Sequence, residues 1–125
     1  MNAPIKAIVI HAARDLRIEE REAERAGPGQ VEIALEAGGI CGSDLHYFNH
    51  GGFGAVRLRE PMILGHEASG IVIETGADVS SLKIGDRVCM EPGVPDLSSR
   101  ASKLGFYNID PSVVFWATPP VHGVL

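Results

Sequence analysis

Val31-Glu32-Ile33-Ala34-Leu35-Glu36-Ala37-Gly38-Gly39-Ile40-Cys41-Gly42-Ser43-Asp44-Leu45-His46 is the stretch on which the reading of this chain turns. Val31, Ile33 and Leu35 alternate with Glu32, Ala34 and Glu36, the two-residue period of a half-buried strand. Gly38 and Gly39 break that strand. Ser43 reads as the N-cap of a short helix reaching about Phe48, with Asp44 in its first turn. A strand, a glycine break and a short helix in quick succession predict a mainly β fold with small helices.

The flanking sequence repeats this grammar. Residues 6–11 form a β-branched strand, and Leu16 and Ile18 alternate in a second over residues 16–20. Residues 20–25 are helical by composition, and Pro28 with Gly29 makes a turn. Further on, residues 62–64 and 69–74 are strand pieces around Gly65-His66-Glu67, and residues 82–85 lead into a strand over 87–90. Residues 98–104 form a second short helix ending at Gly105. Residues 113–117 are a last strand, stopped by Pro119 and Pro120. Glycine (15) and proline (8) together make about 18% of 125 residues against a usual ~12%, which favours short strands and many turns. No repeat or low-complexity tract interrupts the single domain, residues 1–125.

Composition narrows the function. Eleven Lys and Arg against sixteen Asp and Glu leave a formal charge of −5 and no basic stripe, which argues against nucleic acid as a partner. No apolar run approaches the ~18 residues of a membrane span, and the short run at residues 7–10 is a poor signal peptide. No membrane partner and a cytoplasmic location are therefore expected. Cys41 and Cys89 are too few for a disulfide framework.

The chemistry concentrates in Cys41, His66 and Glu67: a thiolate, an imidazole and a carboxylate, the donors zinc accepts. Position 70, four after His66, is glycine, so the His-Glu-x-x-His pattern of a zinc protease is absent. Residue type alone leaves a plainer reading open, with Cys41 a small buried apolar residue, His66 a hydrogen-bonded core residue and Glu67 a surface charge.

Residues 39–47, residues 61–70 (Pro-Met-Ile-Leu-Gly-His-Glu-Ala-Ser-Gly) and Gly85-Asp86-Arg87-Val88 resemble the zinc-dependent medium-chain alcohol and polyol dehydrogenases. Glu91-Pro92-Gly93-Val94-Pro95, residues 103–108 and Ala117-Thr118-Pro119-Pro120 resemble the sorbitol and xylitol branch, while residues 38–52 are more similar to L-idonate 5-dehydrogenases. The resemblance covers nearly the whole chain. It implies a GroES-like, partly open β-barrel. It implies Cys41, His66 and Glu67 as ligands of one catalytic Zn2+, and Asp44 as a carboxylate orienting a ligand histidine. Ser43 and His46 become proton-relay residues, with an exposed helix histidine the plainer reading of His46. Tyr47, Phe115 and Thr118 fall at substrate-pocket positions, although Phe115 reads equally as core. The implied reaction is NAD(P)-linked oxidation of a secondary alcohol on a sugar alcohol or sugar acid.

Two departures qualify this. Where relatives carry four cysteines for a structural zinc, this chain has Asp96, Ser99, Ser102 and Asp110, so no structural zinc is expected and the loop lacks a metal staple. The resemblance also implies a further glutamate ligand and a Rossmann domain downstream of residue 125. Gly52-Phe53-Gly54 does not continue as Gly-x-Gly-x-x-Gly, so no cofactor-binding residue is assigned. The expectation is a GroES-like domain incomplete at its C-terminus and inactive alone. It should form a homo-oligomer or self-associate through an open sheet edge, or else be disordered after about Asp110. The rival readings are a non-catalytic zinc-binding or interaction module, and an engineered or recombined fragment of such enzymes.

Overall fold

The computed structural model describes residues 4–125. In chain order the strands are β1 (Pro4–Ala12), β2 (Asp15–Glu22), β3 (Val31–Gly39), β4 (Gly52–Phe53), β5 (Val56–Arg57), β6 (Met62–Ile63), β7 (Glu67–Thr75), β8 (Arg87–Cys89), β9 (Gly93–Val94) and β10 (Val114–Phe115). Helix α1 (Gly42–His50) follows β3, and α2 (Arg100–Lys103) follows β9. Two open three-stranded antiparallel sheets, β2-β1-β6 and β3-β7-β8, carry the fold, with β4-β5 and β9-β10 as small ribbons.

Strand β1 lies between two neighbours, so Val9 and Ile10 are wholly buried. Ile10, Tyr47, Met62 and Leu64 make the core cluster, against which Phe48, Val56 and Leu58 pack. Burial of such side chains stabilises by about 1.5–3 kcal/mol each, and here it docks α1 onto β1 and β6. Strand β2 is an edge. Its charges pair along the strand, Arg17 with Asp15 at 2.7 Å and Arg21 with Glu19 at 2.8 Å. A charged edge resists pairing with another chain.

Several expectations are corrected. Residues 20–22 continue β2 and residues 23–25 are not helical, because the pairing of Pro4 with Glu22 extends the β1–β2 ladder. Gly38 and Gly39 do not break β3: they pair with Ala68 and Glu67 of β7. The N-cap of α1 is Cys41, not Ser43. The Asp44 carboxylate reaches back to accept the Cys41 N–H at 2.9 Å, which places the helix start two residues earlier. Gly51, left-handed at φ 69°, ends α1.

The last residues are not free of the fold. Gly123 N–H bonds the Ile63 carbonyl, Leu125 N–H bonds the Leu64 carbonyl, and the Leu125 carbonyl accepts from Ile8 N–H, all at 2.7–2.9 Å. Val114, Phe115 and Trp116 nevertheless remain between a third and a half exposed. The four positions expected to lack a metal staple are hydrogen-bonded instead. Buried Asp110 accepts from Asp96 N–H at 2.6 Å and Ser112 N–H at 2.9 Å, and the Ser99 and Ser102 hydroxyls lie 3.0 Å apart.

Candidate metal centre

Two chain segments converge on one point. The first is the β3–α1 junction, which presents Cys41 at the helix N-cap. The second is the turn before β7. Gly65 has φ 92°, in the left-handed region that L side chains rarely adopt, and this lets the chain deliver His66 and Glu67 on the same turn. The potential ligand atoms of Cys41, His66 and Glu67 all lie within 4.8 Å of one another, and they form the only such trio among the described residues. Donors around a tetrahedral zinc, each about 2.0–2.3 Å from the ion, sit roughly 3.5 Å apart, so shifts of about an ångström close the trio.

The environment suits a ligand set. Cys41 is half-buried, His66 buried and Glu67 exposed, so one side faces solvent. Nδ1 of His66 is buried without a hydrogen-bond partner, and its ring meets Phe115 edge-on with centroids 5.3 Å apart. A shallow depression of about 520 Å³ opens beside the trio, lined in part by Gly38, Gly39, Cys89 and Met90.

The other expected residues are distributed unevenly. Asp44 is buried. One carboxylate oxygen holds the Cys41 N–H and the other, Oδ1, is unpartnered, so the bond to His66 Nδ1 that would orient the ring is not made here. Ser43 lies half-buried in the first turn of α1. His46 is exposed, its ring centroid 6.1 Å from His50 and 6.0 Å from Phe53. Phe115 stands over His66. Tyr47 belongs to the core cluster, and only its hydroxyl end approaches the half-buried Thr118. Burial pushes the Tyr47 phenol up; the Thr118 hydroxyl opposes this and the Asp44 carboxylate adds to it. The residues missed from sequence are Gly38 and Gly39, which lie across from Ala68 and Glu67. Their signal was present, since glycine inside a strand often marks a close approach.

Gly52 and Gly54 lie at a β4–β5 hairpin, not between a strand and a helix, so they make no phosphate cradle.

Comparison with known proteins gives a consistent result. Residues 27–124 match the family described as alcohol dehydrogenase GroES-like domain. A D-xylulose reductase of Morganella morganii is 52% identical over 97% of this chain and 36% of its own length. A sorbitol dehydrogenase of Gallus gallus is 50% identical over 95% of this chain and 34% of its own. The crystal structure of L-idonate 5-dehydrogenase from Escherichia coli superposes with a TM-score of 0.87 at 29% identity, over 99% of this chain and 36% of that one. The chain spans about a third of the length of the curated relatives it matches.

Proposed function

Because this chain belongs to the alcohol dehydrogenase GroES-like domain family, alongside xylulose and sorbitol dehydrogenases, we propose that it is the metal-holding, alcohol-binding part of a polyol or sugar-acid dehydrogenase. The convergence of Cys41, His66 and Glu67 within 4.8 Å carries this reading. A thiolate, an imidazole and a carboxylate fit one zinc ion, with a position left for a substrate oxygen. When bound there, zinc acts as a Lewis acid that makes an alcohol hydroxyl easier to deprotonate.

The chain's own groups supply the rest of the alcohol side. Ser43, two residues beyond Cys41 and half-buried, takes up the proton leaving the substrate hydroxyl, and exposed His46 on the same helix hands it to solvent. Phe115, edge-on to His66, walls the site, and Thr118 supplies a polar contact for a further substrate hydroxyl. Asp44 holds the Cys41 N–H and so fixes the helix start that carries the thiol.

The hydride acceptor is a nicotinamide, NAD or NADP, for whose phosphates the β4–β5 hairpin at Gly52 and Gly54 makes no cradle. The 125-residue polypeptide alone therefore binds metal without oxidising polyols. Its exposed apolar residues, including Val114, Phe115 and Trp116, support a homo-oligomer or self-association.

The experiment is metal analysis after dialysis against zinc or cobalt, paired with an NAD(P)-reduction assay on xylitol, sorbitol and L-idonate. Near-stoichiometric metal that Cys41→Ser abolishes, with no turnover, is the expected result. Metal uptake unchanged in Cys41→Ser would falsify the site. Turnover by the pure chain, lost in His66→Ala, would contradict the assignment of the hydride acceptor.

A further inference from the structure

We propose that Gly39 is a positioning residue for the Glu67 ligand: it is glycine because the Glu67 side chain lies across the space a Cβ would fill. This inference rests on the metal-centre reading above and adds a determinant of its geometry.

Gly39 pairs directly with Glu67 in the β3–β7 ladder. Directly opposed residues of an antiparallel pair normally hold their Cβ atoms about 4.5–5.5 Å apart. A Cβ built on Gly39 would stand 3.0 Å from Glu67 Cβ and 3.3 Å from Cδ, and closer still to Oε2. The carboxylate thus folds over bare backbone on its way to Cys41 and His66. Backbone conformation does not require glycine here, since Gly39 is not among the residues with positive φ. An alanine at 39 meets no unfavourable φ; it meets the carboxylate and, less severely, Glu67 Cβ at 3.0 Å.

Which group yields decides the outcome. Glu67 is exposed and its carboxylate is the far end of a flexible side chain, so it swings into solvent at small cost to the fold, while the 3.0 Å contact with Glu67 Cβ needs the two strands to part by only a few tenths of an ångström. The loss then falls on the ligand set. Two neighbouring glycines serve as controls. A Cβ on Gly38 meets Leu125 Cδ2 at 2.5 Å, a packing contact of the C-terminal segment. A Cβ on Gly42 meets nothing within 4 Å, and its φ is ordinary.

The test is cobalt titration of the metal-free 125-residue protein, followed by absorption, with thermal unfolding of each metal-free variant alongside. Gly39→Ala and Glu67→Gln should each weaken cobalt binding by about 10- to 100-fold, the range for losing a group that holds or orients a ligand. Both should keep the thiolate-to-cobalt band of Cys41. The double variant should bind within about twofold of Glu67→Gln alone, because both changes remove the same contact. Gly42→Ala should bind as the parent does. Parent-like binding by Gly39→Ala, where Glu67→Gln weakens it, overturns the inference. So does a double variant whose losses multiply, or a Gly39→Ala chain that fails to fold, since the carboxylate is the group that yields and the strands shift only slightly. If Glu67→Gln leaves binding intact, Glu67 is no ligand and this inference alone fails. A parent chain with no cobalt affinity removes the metal-centre reading and this inference with it.

Discussion

Tyr47→Phe should leave the protein as stable or make it more so, although the tyrosine is 1% exposed in the core beside the candidate site. The substitution keeps the ring, which packs edge-to-face on Phe53 at 5.5 Å and fills the cluster with Ile10, Met62 and Leu64. Only the hydroxyl is lost, and that hydroxyl is buried without a hydrogen bond of ordinary geometry. An unsatisfied buried polar group costs about 1–3 kcal/mol, and an interaction with the nearby Thr118 hydroxyl offsets up to about 1 kcal/mol of that. The expected gain is therefore about 1 kcal/mol, or about 4 °C in melting temperature for a chain of this size. Urea unfolding by circular dichroism measures it as a shift of midpoint at constant slope. The pH dependence gives a second readout. Burial holds the folded phenol above its ordinary value, so the fold's stability is unaffected by this group below about pH 10 and falls as pH rises from there through the folded value. Tyr47→Phe lacks this group and should show a flatter alkaline limb. A loss of 1 kcal/mol or more at neutral pH would refute the reasoning, because it would mean that the hydroxyl has a strong partner.

Two further substitutions probe the frame around the site. Gly70→Ala should destabilise by at least ~2 kcal/mol, since the new Cβ would lie 2.8 Å from Ile33 Cγ2 and 2.9 Å from the Ala34 carbonyl carbon, closer still to its oxygen, and a strand backbone does not retreat easily; a midpoint within 0.5 kcal/mol of the parent in urea would show that β3 and β7 separate more readily than their register indicates. Asp110→Ala removes a buried carboxylate holding two backbone N–H groups and should cost about 2–4 kcal/mol. Amide exchange over residues 96–112 should accelerate, and unchanged protection there would rule out Asp110 as the staple of that loop.

What the sequence determined by itself was local. The alternation of Val31, Ile33 and Leu35 announces a strand, and the donor chemistry of Cys41, His66 and Glu67 is a property of residue type. The resemblance of residues 39–47 and 61–70 to the zinc dehydrogenases then named those three before any geometry was known. Tertiary structure decided the rest. Gly38 and Gly39 look like a strand break along the chain; only once β3 is paired with β7 does Gly39 become the open floor beneath the Glu67 side chain, and Gly38 the space filled by Leu125. Tyr47 reads as a pocket residue, yet α1 packs on β1 and β6 so that its ring enters the core and only the hydroxyl reaches towards Thr118. Residues 20–22 have helical composition and are strand because β1 lies beside them. The common reason is register. Side-chain chemistry and period are set by neighbours in sequence, but which atoms meet depends on pairings between distant strands, where a slip of one residue turns every side chain to the other face.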